Sequence, residues 1–287
     1  MVRPLAVLLA AAMLAACGKS DAPIRLQVFG DPVETKAYRA LVDAYRAEKP
    51  QAAIELIPVG RQNDHMAKLS TGFAAGDPPE LFVLNFRRFG QFAAKGVLEP
   101  LGPAMQARGL WNADDFYAPP VEAFQYFGVQ ECLPQNASSL VVYYNKRLFQ
   151  QAGAPAPHAE WTMREMLAAA FKIQAFARTP EGKGVYGIGL DPLLIRLAPF
   201  IWSFNGELVD NTQKPTRVTI DGSGPLGLTF VKSLIQRYRV VPPLAAYKAE
   251  NSEARFIRGA LGMVFESRRF TTTLRTHPEL DWDVAPF

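Results

Sequence analysis

The chain has 287 residues, of which 49% are hydrophobic and 20% are charged, and its formal net charge is +4. No run of five or more Lys or Arg occurs and the basic excess is spread along the chain, so the sequence indicates neither a nucleic-acid-binding patch nor a polybasic membrane patch. The length suits two lobes or one large domain.

A secretory signal opens the sequence. Arg3 supplies a positive charge, residues 5–14 form an apolar run too short to span a bilayer, and small residues follow up to Cys17. The ending Leu-Ala-Ala-Cys resembles the bacterial lipobox, where a peptidase cleaves before the cysteine, which then carries a lipid. We expect a signal peptide at residues 1–16 and a lipid-anchored tether at residues 17–23. The alternative is an ordinary signal with an incidental cysteine.

The lipid on Cys17 would decide the compartment and the cysteine chemistry. Removal of the signal leaves 271 residues, because 287 minus 16 is 271. Cys132 is then the one remaining thiol, so no disulfide can form within the chain, and we expect this thiol to be a small buried side chain. With no second hydrophobic span, the predicted body lies on the periplasmic or extracellular face of the cell envelope, tethered to the membrane by its lipid.

Strand and helix patterns alternate in the first part of the chain. Period-2 or continuous apolar patterns predict strands, and apolar residues at helical spacing predict helices. The continuous apolar run at residues 81–84 is typical of the buried centre of a parallel sheet. This alternation predicts an α/β lobe at residues 24–132. Its predicted strands are residues 24–29, 54–59 and 81–84, and its predicted helices are residues 34–48, 65–75 and 89–95.

A second alternating section predicts another α/β lobe at residues 133–287. Thr162 with Glu165 three residues later forms a capping box, which predicts a helix at residues 163–176. The polar, Pro-containing stretch near residues 128–138 is a candidate crossing between the lobes. The remaining predicted strands are residues 140–144, 261–265 and 282–285, and the remaining helices are residues 147–152, 226–238 and 252–258.

An ordered set of motifs resembles the extracellular solute-binding proteins of bacterial ABC importers, of the maltose- and multiple-sugar-binding type (family 1). Residues 133–148 (LPQNASSLVVYYNKRL) match best, as a hinge-crossing strand with a Tyr-Asn-Lys ending. The other motifs are residues 76–80 (GDPPE), Trp161 in a Pro-rich loop, and residues 184–187 (GVYG), 204–208 (FNGEL), 259–270 (GALGMVFESRRF) and 282–286 (WDVAP). Each motif is weak alone, and the ordered set over residues 24–287 is specific.

This resemblance implies a two-lobe periplasmic-binding-protein fold of type II, with a cleft between the lobes. It implies a monomer that captures a sugar by hinge closure and delivers it to an ABC permease, with no cofactor. The sequence departs from the family at Glu80, where Asp is usual, and at Asn205, where the family has Gly. It also stops at Phe287, so we expect the C-terminal part of the fold to be missing.

Sugar capture requires aromatic faces for the C–H surfaces of the ring and bidentate polar side chains for vicinal hydroxyls. The resemblance places such groups at strand ends and loops that face the cleft. The candidate ligand-binding residues are Asn85, Arg87, Arg88, Asn136, Ser138, Trp161, Trp202, Asn205, Gly206, Ser267, Arg269 and Phe270. The Arg forks equally suit a phosphate or carboxylate, which leaves an anionic sugar or a glycerol phosphate ester open.

Simpler structural roles compete with these assignments. Asn85, Arg87 and Arg88 could be a helix cap and surface charges. Trp202 could be a core residue, and Trp161 could pack at a helix start. A degenerate, non-binding remnant is a further alternative to the binding protein.

Enzymatic constellations have little support. The three histidines, His65, His158 and His277, lie far apart, and no Cys pair exists, so no metal site is expected. Residues 222–227 fit Gly-x-Gly-x-x-Gly, but Pro225 removes an amide that would bind a pyrophosphate, which favours a helix-starting turn. Glu266 has no partner carboxylate in the sequence pattern. An envelope enzyme acting on glycosides therefore stays the alternative, and we expect no enzyme.

Overall fold

The computed structural model describes residues 22–212, 214–219 and 224–287. The predicted signal peptide, Cys17 and most of the predicted tether lie outside these residues. The chain divides into two compact units, a first that ends at Val97 and a second that spans Leu98–Phe287. In the described ranges, no helix combines the length and the apolar character needed to cross a membrane.

The first unit is built on a three-stranded parallel sheet in the order β2-β1-β3. Strands β1 (Ile24–Phe29) and β2 (Ile54–Val59) confirm the predicted bounds. Strand β3 covers only Leu81–Phe82, and it is an edge strand of the described sheet, not its centre. The apolar run at residues 81–84 was misleading because apolar composition decides neither the place of a strand in its sheet nor its burial, and Leu81 is 44% exposed. The central place belongs to β1, which pairs on both sides.

Helices α1 (Pro32–Glu48) and α2 (Gln62–Ala75) connect the three strands of this sheet, and α3 (Phe86–Ala93) follows β3. Helix α1 begins two residues before the predicted start. Asp31 accepts hydrogen bonds from the backbone N–H groups of Val33 and Glu34, the Glu34 carboxylate accepts from the Asp31 N–H, and Pro32 occupies the first helical position.

The turn before β3 explains two sequence motifs. Gly76 ends α2 in the left-handed conformation with a φ of 71°, which glycine adopts at little cost. Glu80 reaches across to β1, where its carboxylate accepts from the Arg25 guanidinium at 2.9 and 3.1 Å and from the Arg25 backbone N–H at 2.8 Å. These bonds lower the pKa of Glu80 to about 2. The carboxylate that departs from the family pattern therefore joins the turn to the central strand.

Residues 98–132 pack with the second unit, so the compact units divide before the predicted lobe boundary at residues 132 and 133. Alternation along the chain grouped this segment with the first sheet, but it adds no strand to that sheet. It contributes a separate two-stranded antiparallel hairpin. The Leu101 N–H donates to the carbonyl of Glu131, the residue that follows this hairpin, at 3.2 Å. Its elements are α4 (Leu101–Gln106), a 3₁₀ turn (Ala113–Asp115), α5 (Ala118–Glu122), β4 (Gln125–Tyr126) and β5 (Val129–Gln130).

The second unit contains a mixed four-stranded sheet in the order β7-β8-β6-β9. Strand β7 runs parallel to β8, whereas β6 is antiparallel to both β8 and β9. Predicted strands 140–144 and 261–265 are confirmed and extend to Asn145 and Ser267, and the bounds of β9 match the prediction. The strands are β6 (Leu140–Asn145), β7 (Tyr186–Gly189), β8 (Leu261–Ser267) and β9 (Trp282–Ala285).

Helices cover this sheet. The capping box predicted at Thr162 and Glu165 is confirmed, and α7 has its predicted bounds. Helix α8 was not predicted, because its sequence is apolar over most of its length and contains Pro199. The helices are α6 (Lys146–Gln151), α7 (Met163–Phe176), α8 (Leu194–Ser203), α9 (Gly224–Gln236), α10 (Ser252–Ile257) and α11 (Phe270–Leu274), with a 3₁₀ turn at Leu244–Lys248.

The sheet of the second unit is buried on both faces. Successive β6 residues alternate between two apolar clusters, so Val142 and Tyr144 lie in one and Tyr143 lies in the other. Gly187 of the GVYG motif lets α7 approach closely, because a Cβ there would lie 2.8 Å from the Ala170 carbonyl oxygen. Burial on both faces leaves the strand ends and loops as the places where polar side chains can reach solvent.

Candidate functional site

In the first unit, polar side chains follow the carboxyl end of the parallel sheet. Asn85 lies just after β3 and caps α3, because its Oδ1 accepts the Arg87 N–H at 3.1 Å. The Arg87 Nε also donates to Asn85 Oδ1, at 3.3 Å. Arg87 and Arg88 are exposed. Asn85 is therefore a helix cap, and the two guanidinium groups lie at the sheet edge where open α/β sheets bind ligands.

A buried polar network lies under this edge. Gln27 of β1 donates from Nε2 to His65 Nδ1 at 3.1 Å, and His65 Nε2 donates to the Val83 carbonyl at 2.8 Å. The imidazole of α2 is fully buried, and its burial lowers its pKa. The network joins β1, α2 and the segment after β3, so it fixes the chain that leads into Asn85. No motif in the sequence indicates this role of His65, because its partners are distant along the chain.

In the second unit, strand register brings two of the candidate segments to one edge. Leu140 at the start of β6 pairs with Ser267 at the end of β8. Ser138 therefore precedes the sheet by two residues at the edge where Ser267 and Arg269 leave it. Asn136 and Ser138 are exposed in an irregular segment, and Asn136 Nδ2 donates to Gln135 Oε1 at 3.4 Å.

The turn after β8 separates the candidate residues into two groups. Arg269 is exposed, as is Arg268, which is not among the candidate residues, while Ser267 is half-buried. Phe270 is only 2% exposed, and its ring packs edge-on against Tyr143 at 5.2 Å and against Phe256 at 6.0 Å. Phe270 is a core residue in this structure, so it presents no aromatic face to a solute. The motif at residues 259–270 identified the segment that contains this turn, but it could not distinguish a buried ring from an exposed one.

A buried ion pair supports this turn. The Glu266 carboxylate is paired with the Arg196 guanidinium of α8, and its other oxygen accepts the Ser267 N–H at 2.8 Å. These two interactions engage both carboxylate oxygens of Glu266. Burial raises the pKa of Glu253, and the negative charge of Glu266 raises it further. Arg196 is a partner that sequence reasoning missed, because α8 itself was not predicted.

Trp161 is held by packing and by one hydrogen bond. Its indole Nε1–H donates to the Pro286 carbonyl at 2.8 Å, and its ring packs against the larger apolar cluster of the second unit. This contact ties the loop before α7 to the segment after β9. These contacts match the alternative in which Trp161 packs at a helix start.

Asn205 and Gly206 terminate α8. Asn205 adopts a φ of 57°, its N–H donates to the Trp202 carbonyl at 2.8 Å, and the Gly206 N–H donates to the Ile201 carbonyl at 2.9 Å. These two bonds form a Schellman motif, for which Asn is a common alternative to Gly at the left-handed position. Trp202 is 54% exposed on the last turn of this helix, so it is a surface aromatic and not a core residue.

The described part of the chain offers little for metal, nucleotide or thiol chemistry. Within residues 22–212, 214–219 and 224–287, no group of three His, Cys, Asp or Glu side chains could hold a metal ion. The glycine motif at residues 222–227 lies partly outside the described residues; the part that is described opens α9. Cys132 is half-buried and free, and burial raises the pKa of its thiol to about 11.

Comparison with known proteins places this arrangement in a family. The family model described as "Bacterial extracellular solute-binding protein" matches residues 30–271. The chain belongs to this family. The match includes parts of both units and every candidate ligand-binding residue, so the resemblance drawn from the ordered motifs is confirmed.

Individual members of the family resemble the chain over different lengths. A "Putative binding protein" of Brucella abortus (strain 2308) is 28% identical over 284 residues, which cover 95% of this chain and 65% of that protein. The sn-glycerol-3-phosphate-binding periplasmic protein of Rhizobium meliloti (strain 1021) is 29% identical over 138 residues, 46% of this chain and 32% of that protein. The chain thus spans about two thirds or less of the length of these relatives.

Solved structures share the α/β fold. The ABC substrate-binding protein of Listeria monocytogenes in complex with cycloalternan superposes with a TM-score of 0.77 at 25% identity, over 91% of this chain and 65% of that one. The periplasmic-binding-protein fold class inferred from the motifs is therefore confirmed.

Proposed function

We propose that this chain is the solute-capturing component of an ABC importer and that its solute is a sugar. The observation that carries the proposal is the exposed turn after β8, where Ser267 and Arg269 share a sheet edge with Ser138. A guanidinium fork and two hydroxyl groups are suited to neighbouring hydroxyls of a sugar. The family membership supports import as the use of that edge.

In this proposal the solute is held by both units. The first unit would contribute groups from the edge that carries Arg87 and Arg88, and the second unit would contribute the turn that carries Arg269. Closure of the units around a hinge would make the loaded state tighter than the open one, because the solute then contacts both. We also propose that the lobes meet near residues 132 and 133. The protein would act as a monomer, and its loaded form would dock on an ABC permease.

An sn-glycerol phosphate ester is the second candidate solute. The Rhizobium relative, which binds sn-glycerol 3-phosphate by name, favours it, and a guanidinium binds a phosphate as readily as it binds hydroxyls. Capture without turnover is proposed in both cases. Glu266 is the carboxylate that a glycosidase would need as an acid. It is paired with Arg196 and accepts the Ser267 N–H.

Titration calorimetry of the whole chain with maltose, cycloalternan and sn-glycerol 3-phosphate tests the proposal. Arg269→Ala should weaken binding of the accepted probe by about 1.5–3 kcal/mol, since a charge-assisted hydrogen bond is lost. Arg275→Ala is the matched control, because Arg275 is also exposed but lies at the far end of α11. Absence of binding by every probe would favour the non-binding remnant, and an unchanged affinity of Arg269→Ala would remove the turn from the site.

Anchoring by a lipid on Cys17 is proposed from the lipobox pattern alone. Cys17→Ser should leave the signal uncut by the lipoprotein peptidase and should prevent lipid attachment. Fractionation of cells that produce the two forms, with metabolic labelling by a fatty acid, measures both effects. Equal fatty-acid labelling of the Ser variant would refute the anchor, and the protein would then be placed in the envelope by an ordinary signal.

A further inference from the structure

The turn after β8 is pinned from below by one tyrosine. Tyr143 of β6 is fully buried, and its hydroxyl donates to the Ser267 carbonyl at 3.0 Å. The same hydroxyl lies 2.8 Å from Thr271 Oγ1. Because a tyrosine hydroxyl has one hydrogen, a bond donated to Ser267 requires that Thr271 donates to Tyr143. The hydroxyl therefore bridges the last residue of β8 and the first turn of α11.

The two exposed arginines lie between these anchor points. Arg268 and Arg269 are the residues that enter α11, and their carbonyls accept from the Thr271 and Thr272 N–H groups, both at 3.1 Å. On the strand side, Glu266 accepts the Ser267 N–H, and Arg196 holds Glu266. The turn is thus fixed at both ends by buried groups, whereas the two guanidinium groups it presents remain exposed.

A turn held in this way needs little ordering when a solute binds. Without the bridge, the backbone that carries Arg269 would sample more conformations, and binding would have to select the productive one. The Phe270 ring, which packs on the Tyr143 ring, would still hold the side of the turn nearest the core. The hydroxyl is therefore the specific group that joins the strand end to the helix start.

We infer that the Tyr143 hydroxyl is a positioning group for solute capture, which acts through the Arg268–Arg269 turn and does not touch the solute. The inference rests on the proposed function of that turn. It assigns a binding role to a buried residue of the sheet, which neither the motifs nor the exposure of side chains would select.

Tyr143→Phe tests the inference because it keeps the ring and its packing and removes only the hydroxyl. Tyr144→Phe is the matched control, since the neighbouring ring packs against Phe149 on the other face of the sheet. In Tyr143→Phe we expect faster amide hydrogen exchange of residues 267–272 and a Kd for maltose or sn-glycerol 3-phosphate raised about five- to tenfold, the size of one hydrogen bond. Tyr144→Phe should bind within about twofold of the wild type. Thr271→Val removes the other partner and should act in the same direction as Tyr143→Phe.

A double-mutant cycle with Arg269→Ala separates positioning from general stability. If Tyr143 acts through the turn, Tyr143→Phe should have little further effect on Kd once Arg269 is Ala. An equal loss in both backgrounds, or unchanged exchange of residues 267–272, would overturn the inference. If the wild type binds a probe and Tyr143→Phe binds it with equal affinity, the positioning role alone is overturned. A wild type that binds none of maltose, cycloalternan and sn-glycerol 3-phosphate overturns the proposed function, and the positioning role with it.

Discussion

His65 is a histidine that folding keeps in its neutral form. Its Nδ1 faces the Gln27 amide as an acceptor, its Nε2 donates to Val83, and the Phe29 ring lies 5.0 Å from the imidazole. A protonated ring would point a second N–H at the Gln27 amide nitrogen, which is itself a donor. Burial and this mismatch both disfavour the charged form, so the pKa of His65 lies below that of an unfolded histidine.

The free energy of unfolding should therefore fall in mild acid. An unfolded histidine titrates near pH 6.5. The stability contributed by the neutral, buried His65 is therefore complete above about pH 6.5 and is lost as the pH falls, by up to about 1.4 kcal/mol per pH unit. Urea unfolding at about pH 7.5 and about pH 5.5 measures the loss. His65→Gln should reduce it, whereas His158→Gln, at an exposed histidine, should keep it.

Comparison of slopes isolates His65 from other titrating groups. Burial raises the pKa of Glu253 and of Glu131, and these carboxyl groups oppose the histidine because they favour the folded state as the pH falls. Their contribution is common to all three chains. Equal pH slopes for the wild type and His65→Gln would contradict the assignment of the acid sensitivity to this imidazole.

Local hydrogen bonding at helix starts determines several elements of the fold. Two helices, α1 and α7, begin with a full capping box, in which a side chain at the N-cap and a Glu three residues later satisfy each other's backbone N–H groups. At α7 the Glu165 carboxylate accepts the Thr162 N–H at 2.7 Å, and this bond is the main cause of the lowered pKa of Glu165. All of the atoms of such a box lie within four residues, so the sequence alone can indicate it. The box at Thr162 was predicted in this way, whereas the box at Asp31 was not.

Thr162→Ala should lower the free energy of unfolding by about 1 kcal/mol, because the Glu165 N–H loses its acceptor at the start of α7. Thr162→Ser retains the hydroxyl and should unfold within about 0.5 kcal/mol of the wild type. Urea unfolding followed by the helical circular-dichroism signal compares the three chains. An Ala variant as stable as the Ser variant would show that the cap makes no net contribution there.

Helix α8 illustrates how an element with few local signals is stabilised. It lacks a side-chain N-cap and contains Pro199, yet it packs against α9, and Phe200 is fully buried between Phe230 and Phe265. Tertiary burial outweighs the unfavourable local sequence. Its position has a functional consequence, because it brings Arg196 to Glu266 and so supports the exposed turn after β8.

At the scale of the molecule, each unit has its own sheet and its own way of placing polar groups. The first sheet is entirely parallel, so all three strands end at the edge that leads into Asn85. The second sheet is mixed, and the antiparallel pairing of β6 with β8 brings the segment before β6 to the turn after β8. Both arrangements put exposed Arg side chains at a sheet edge, although the strand topologies that produce them differ.

The sequence by itself determined the elements whose signals are local, and the family. Three strands, residues 24–29, 54–59 and 282–285, and the helix at residues 163–176 were predicted to the residue, because side-chain period and capping are set by near neighbours. The order of weak motifs identified the family. The same motifs selected Arg269, which is exposed in the structure.

Only the tertiary structure decided strand order, the division at Val97 and the partners of buried groups. Arg196 and Glu266 lie 70 residues apart in sequence, and Tyr143 and Thr271 lie 128 apart. Such pairs form because strand pairing and helix packing bring distant segments together, and neither side chain encodes the other. Phe270 matched a ligand-binding position in the sequence. It is nevertheless buried in the core, because distant segments pack around it. A motif specifies the residue type, whereas packing decides which side of the chain meets solvent.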